Sequence, residues 1–411
     1  MNTNSDRPFV PPSIRSDSLA PRKRDAEFQS PCPTPVKIAV VIPKYGLVGG
    51  GEIFALELTE RIARLSSYEF HVFANQWKKQ SELIQFHKVP IVSFPKYLTT
   101  VSFAWFAQQK IKKIGCDLIH SHERIFNADV ISLHSIPHRH WVRDIRKKRF
   151  PSLFDRVTIR VENNIVYHND KALFLPVSSI ARDRFIEEYP FVADRTRVIH
   201  PGVEMAKFDL LNRRQCRKDI RARFGFLEAD TVLLFVGMNF ELKGLEPLIL
   251  AMGRIKFLAP EKPLKLLVVG KGNRNKYQKL AQDNGVGDDI RFTGVIQEKI
   301  EKIYLSADFY AMLSSFDTFG MTVLEAMAAS LPVIISPHVG AKDLVQEGVN
   351  GFIVEWEDID AVSRKILLLL DHEKRTMMGI NAHRIAKDHT WDVMAYKIMG
   401  FYEEILSRKY C

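Results

Sequence analysis

Short apolar runs alternate with longer amphipathic stretches along the chain. "VKIAVVIP" (36–43) has the pattern of a buried strand, and a glycine turn "VGGGE" (48–52) leads from it into a 3.6-period helix from about Ile53 to Leu65. "EFHVFA", "DLIHSH", "DVISLH" and "KALFLPVS" continue this series as strand candidates. A second series begins at "TVLLFVG" (231–237) and passes through a helix in "KGLEPLILAMGRI". It goes on with "LKLLVVG" (264–270), "IRFTGV" (290–295), "DFYAML" (308–313) and "PVIIS" (332–336). Strands that alternate with helices imply parallel sheets joined by right-handed crossovers, so the pattern predicts an α/β chain of two doubly wound domains. Pro201 and Gly202, in "RVIHPGVEMAKF" (197–208), interrupt the pattern between the two series. The expected domains are 36–205 and 206–390, with a final helix, about 391–411, long enough to cross back onto the first. Residues 1–35 have no such periodicity and read as a disordered tail.

Open α/β sheets bind ligands outside the carboxyl ends of their strands, so two such sheets facing each other define a cleft. The triple glycine at 49–51 permits close backbone approach there. The same turn also serves simply to fold a helix back on its strand, and the residues alone leave both readings open. In "SSFDTFGMTVLEAMAASLPVII" (314–335), Phe319, Val323, Ala326, Met327 and Ser330 fall on one face of a helix expected from about Phe319 to Leu331. Asp317 then lies in the turn after a strand and Glu325 two turns into the helix. An N-terminal cap and a solvated carboxylate are the structural alternatives for the two acids.

The 411 residues are 46% hydrophobic and 26% charged, as in a globular chain with two cores. No apolar run approaches the roughly 20 residues of a membrane span, and the first residues hold no apolar signal core. Cysteines at 32, 116, 216 and 411 are too scattered for a CxxC motif or a disulfide framework, which favours a cytoplasmic setting. The net charge of +11 arises almost wholly in residues 1–200, with 30 Lys+Arg against 20 Asp+Glu. Its densest run, "HRHWVRDIRKKRF" (138–150), mixes cations with Trp141 and Phe150, as a surface for anionic lipid or a phosphorylated glycan would. A solvated basic loop is the alternative, and no nucleic-acid-binding motif accompanies the run. His120, His122, His134, His138 and His140 cluster in the same half. Alternation puts His120 and His122 on one face, one way to begin a metal site.

"GGGE" (49–52), "PVSS" (176–179), "VIHPGVE" (198–204), "VGMNFELKG" (236–244), "VVGKG" (268–272), "FTGV" (292–295) and "DTFGMTVLEAMAASLPVI" (317–334) occur in an order that resembles the retaining glycosyltransferases of family four. The resemblance covers roughly 36–411 and implies the GT-B fold, two facing Rossmann-like domains. "VGMNFELKG" and the aromatic "NQWKK" (75–79) look most like the lipopolysaccharide core glucosyltransferases. It implies transfer of a hexose, glucose from UDP-glucose first among the candidates, to a glycolipid such as the lipopolysaccharide core. No cofactor or bound metal is implied, and the partners are a nucleotide sugar, the glycolipid or glycan acceptor and an anionic membrane surface, on the inner face of the cell membrane.

The resemblance also assigns residues. Asp317, Lys243 and His134 become the catalytic candidates. Gly50, Gly51, Lys243, Gly270, Val295, Asp317, Phe319, Gly320, Met321, Thr322 and Glu325 become the donor-binding set. Lys243 and the N–H groups of Phe319, Gly320, Met321 and Thr322 would meet the diphosphate, Asp317 the donor sugar and Glu325 the ribose hydroxyls. His134 would stand against the donor sugar, a satisfied structural histidine being the alternative. Two departures stand out: Asp317 replaces the usual Glu, and Met238 replaces a common Arg, so that Lys243 would act with helix N–H groups or with another cation such as Arg274 or Lys271, or the chain belongs to a branch that dispenses with that Arg. A sugar-nucleotide epimerase of the same fold, and a lapsed transferase that binds membranes, remain as rival readings.

Overall fold

The computed structural model describes residues 35–410 except Val48 and Gln297, so the expected tail lies outside the described residues. In the first lobe, β1 (Lys37–Val41), β2 (Glu69–Ala74), β3 (Ile84–Lys88), β4 (Leu118–Ser121), β5 (Val130–Leu133) and β6 (Leu173–Pro176) form one sheet in the order β3-β2-β1-β4-β5-β6. The second lobe repeats the plan. Its strands are β7 (Thr231–Gly237), β8 (Leu264–Gly270), β9 (Ile290–Gly294), β10 (Phe309–Met312), β11 (Val333–Ile335) and β12 (Gly351–Ile353), in the order β9-β8-β7-β10-β11-β12. Every ladder in both sheets is parallel. Each sheet therefore reverses direction beside its first strand, and the crevice at that reversal is where such sheets take ligands.

β3 and β12 escape the apolar-run pattern. Both are outermost strands: β3 is largely solvated, and β12 has only three residues, so neither carries the continuous apolar run that marks a central strand.

Four helices set the site: α1 (Gly50–Leu65), α2 (Leu245–Leu258), α3 (Met321–Ala328) and α4 (Trp391–Tyr410). α4 packs on the first lobe. Trp391 meets Phe54 of α1 edge to face at 5.5 Å between ring centres, and Tyr402 bonds His120 at 2.6 Å. The residues between the lobes are tied to the start of α4: the N–H of Val203 donates to His389, and a Cβ at Gly202 would lie 2.5 Å from the Trp391 nitrogen. One apolar cluster consequently runs from Val40 through Val203 and Phe208 to Leu234, and on to Ile398.

Direct bonds also join the lobes. Ser178 Oγ donates to the Thr318 carbonyl at 2.6 Å. Asp343 accepts from the N–H of Ser179 at 2.6 Å and lies 3.0 Å from His200 Nε2. Burial pushes the Asp343 carboxyl up, but the bonds from His200 and Ser179 outweigh it and hold the group below its ordinary range.

The basic run at 138–150 is not a free cationic face. Arg146 and Lys148 turn inward to Asp155, at 3.3 and 3.4 Å, and His138 reaches the same buried carboxylate at 3.0 Å. Trp141 faces the other lobe, its ring 6.0 Å from that of Phe316. A charge count cannot reveal that one buried acid collects these cations.

Candidate active site

The walls come from the two repeated strand-to-helix turns. After β1, the chain enters α1 at Gly49, whose φ of 146° is a conformation that favours glycine. Gly51 makes room in a different way: a Cβ there would press on His134, which follows directly on β5, at 3.1 Å from its Cγ. Across the cleft, the turn after β7 closes on Gly244, in the left-handed region at φ 74°. A Cβ at Gly244 would come within 2.0 Å of the Leu313 carbonyl, so only glycine lets the loop carrying Lys243 pack against the end of β10. Gly320, at φ 91°, opens α3 and turns its first N–H groups toward the same space.

These elements enclose a cavity of about 530 Å³ lined by both lobes. Gly50, Gly51 and His134 contribute from the first lobe, and Lys243, Gly270, Val295, Asp317, Phe319, Gly320, Met321 and Thr322 from the second. The structure thus brings together every member of the catalytic and donor-binding sets except Glu325. α3 begins at Met321 rather than Phe319, because the left-handed Gly320 cannot lie within a regular helix, and ends at Ala328. Glu325 is then the fifth helical residue, not two turns in. It is partly buried outside the cavity lining and accepts a bond from the Tyr304 hydroxyl at 2.7 Å. Burial raises its carboxyl above the ordinary range, and the Tyr304 bond opposes that shift.

Asp317 pairs with Lys243 through Oδ2 and accepts the N–H of Phe319 at 3.2 Å through Oδ1. The Phe319 N–H is therefore already engaged and is not one of the open donors at the helix start. Met238 lines the cavity and is 60% exposed, so a thioether occupies the wall expected to carry an arginine. Arg274 does not line the cavity; its guanidinium lies 5.8 Å from the centre of the Phe292 ring. Lys271 does not line it either.

His134 and His122 are joined, Nε2 to Nδ1, at 3.0 Å, and the rings of His120 and His122 stack at 4.4 Å. His120 bonds Tyr402 and Ser132, at 2.6 and 2.8 Å. His120, His122 and His134 form a stacked column leading from α4 to the cleft, whereas His138 and His140 turn to Asp155 and Glu188. Burial lowers His134 to about 4, so the ring is neutral at physiological pH. A second cavity of about 490 Å³ adjoins in the first lobe, shares Gly51 and His134, and is edged by Lys44, Glu52, Arg124 and Glu162. Arg124 bonds Glu162 at 2.7 Å. No sequence spacing announces that wall, whose members lie on separate elements.

Set beside known proteins, residues 217–385 match the family described as glycosyl transferases group 1, and residues 48–207 match glycosyltransferase family 4. An uncharacterized glycosyltransferase of Methanocaldococcus jannaschii is 25% identical over 90% of this chain and 98% of its own. The mannosylfructose-phosphate synthase of Agrobacterium fabrum is 23% identical over 86% of each. Among solved structures, WaaG, a glycosyltransferase involved in lipopolysaccharide biosynthesis, superposes with a TM-score of 0.73 at 18% identity, covering 88% of this chain and 98% of WaaG. Anabaena HepE, solved with UDP and glucose, gives 0.66 at 18% identity over 90% of this chain and all of its own.

Proposed function

The chain is a GT-B glycosyltransferase of family-four type, and from that premise we propose that it moves a hexose, glucose from UDP-glucose, with retention onto an anionic glycolipid of the lipopolysaccharide-core kind. The observation that carries the reading is the cavity in which Lys243, Asp317 and the start of α3 face Gly51 and His134 across the cleft. A departing nucleoside diphosphate gains negative charge as its bond to the sugar breaks. Lys243 and the open N–H groups at the start of α3 stabilise that charge more in the transition state than in the ground state. Asp317 and His134 hold the sugar from opposite sides. The acceptor hydroxyl approaches on the face the phosphate leaves, and its proton passes to the departing phosphate oxygen. The protein's contribution is to align the reactants and exclude water. UDP and glucose bound to HepE, and the role of WaaG, support the choice of donor and acceptor.

The acceptor's sugar end enters the adjoining first-lobe cavity, and its lipid end remains in the membrane. Among the described residues no helix is long and apolar enough to cross a membrane. We assign attachment to the cytoplasmic surface of the bilayer, through exposed Phe94 and Phe150, with Arg149 over the Phe150 ring and Lys96 over that of Phe154.

Incubation of the purified protein with a panel of nucleotide sugars, with and without lipopolysaccharide core, tests this reading. UDP-glucose consumption with an α-linked product supports it. A 2-epimeric sugar with no acceptor requirement establishes the epimerase, and no turnover of any donor establishes the lapsed transferase.

A further inference from the structure

His122 has no place in the mechanism above, yet it is the hydrogen-bond partner of the ring that faces the sugar. Its Nδ1 lies 3.0 Å from Nε2 of His134, and the rings are nearly parallel, 5.3 Å apart. Burial holds both imidazoles neutral, so each carries one N–H and one lone pair. The bond between them needs one donor and one acceptor, which leaves two arrangements. Either His122 donates from Nδ1, or His134 donates from Nε2.

The other nitrogen of His122 decides between them. Nε2 of His122 is buried and has no hydrogen-bond partner. If His134 were the donor, His122 would carry its proton on Nε2, an N–H sealed from water with nothing to accept it. If His122 is the donor, the orphan is a lone pair, and buried orphan donors are the rarer and more costly case. The proton therefore sits on Nδ1 of His122, Nε2 of His134 accepts it, and the N–H of His134 is on Nδ1. That nitrogen makes no hydrogen bond within the described residues and is not sealed from solvent.

We propose that His122 is a positioning residue that fixes His134 as its Nδ1–H tautomer, so that the cleft offers a donor-sugar hydroxyl an N–H from one lobe and the Asp317 carboxylate from the other. The tautomer follows from the hydrogen-bond geometry and the burial of the two rings; its use on a sugar rests on the proposed transfer reaction. His120 supports the arrangement from behind, because its own nitrogens are taken by Tyr402 and Ser132 and do not compete for His122.

Nitrogen-15 spectra of the ligand-free, histidine-labelled protein test the tautomer, with the His134 signals identified by their loss in His134→Gln. The expected parent spectrum has a protonated Nδ1 and an unprotonated Nε2 at pH 7.5. His122→Phe keeps a ring in the stack but removes both nitrogens, and His134 should move toward the Nε2–H form. His122→Asn, whose amide can donate from nearly the same place, should restore Nδ1–H. Calorimetry with UDP and UDP-glucose reads the consequence. The added affinity of UDP-glucose over UDP should fall about tenfold in His122→Phe and stay within about threefold of the parent in His122→Asn. A parent spectrum with Nε2 protonated overturns the proposal, as does a folded His122→Phe in which both the tautomer and the UDP-glucose preference are unchanged. A parent that binds neither ligand overturns the proposed reaction instead, and the tautomer still stands or falls on its spectrum.

Discussion

Lys243 and Asp317 form an ion pair in the lining of the cavity between the lobes, although they are 74 residues apart and belong to the turns after different strands. Both side chains are about one-fifth exposed, so the pair is reachable by ligand but sheltered from full screening by water. In the free protein each neutralises the other; in the proposed reaction, the diphosphate would compete for the lysine and the sugar for the acid. Lys243→Ala should lower kcat/KM by about 2–4 kcal/mol of transition-state stabilisation, roughly 30- to 1,000-fold. Asp317→Asn should affect the sugar-bearing donor more than UDP alone. The double variant should lose less than the sum of the two, because the groups are coupled. Steady-state kinetics with UDP-glucose, and with UDP as a competitive inhibitor, check all three, and full activity in Lys243→Ala would remove that residue from the site.

Glu325 separates stability from binding. Its carboxyl holds a proton more tightly in the folded chain than in the unfolded one, because burial raises it. A raised acid contributes stability below its unfolded value and loses that contribution as pH rises through the folded one. At pH 7, Glu325→Gln should therefore melt no lower than the parent, the amide oxygen still accepting from Tyr304. If a small shift turns the carboxylate to the ribose when nucleotide binds, the same change should weaken UDP binding by about 10- to 100-fold. Parallel melting and calorimetry decide it; unchanged UDP affinity would assign Glu325 to Tyr304 alone.

Asp155 behaves in the opposite sense. Burial pushes its carboxyl up, but bonds from Ser152 and His138 and the charge of Lys148 outweigh burial and hold it well below the carboxylate range. A depressed acid contributes stability above its unfolded value, and that contribution disappears as pH falls toward the folded one. Asp155→Asn should destabilise the protein at pH 7 by about 3 kcal/mol, since it removes the charge that Arg146 and Lys148 pair with and leaves one acceptor oxygen where the carboxylate has two. The gap between variant and parent should narrow below about pH 4. Denaturant melts at several pH values measure it.

Membrane attachment should depend on the exposed residues rather than on the inward-turned cations. Phe94 and Phe150 are 86% and 72% exposed. Changing both to Ser, together with Lys96→Gln and Arg149→Gln, should reduce cosedimentation with anionic vesicles and flatten its dependence on salt, while UDP-glucose binding is retained. Sedimentation equal to the parent across the salt series would end the membrane role of this face.

Periodicity determined the alternating plan of strands and helices, the outermost strands β3 and β12 apart. β2, β7 and β8 occupy the stretches whose apolar runs predict them, because a central parallel strand is buried on both faces and must be apolar throughout. The placing of Asp317 after β10 followed in the same way, since a turn residue is located by the strand before it and the helix after it. What the sequence could not determine was which side chains meet across elements. His122 on His134, Lys243 on Asp317, Trp141 on Phe316, and Arg146 and Lys148 on Asp155 are pairings set by how strands, loops and lobes pack, and no local repeat encodes them. Glu325 shows the limit most plainly: its position on α3 was legible, but the tyrosine that holds it comes from 21 residues earlier, brought there by the crossover into the sheet.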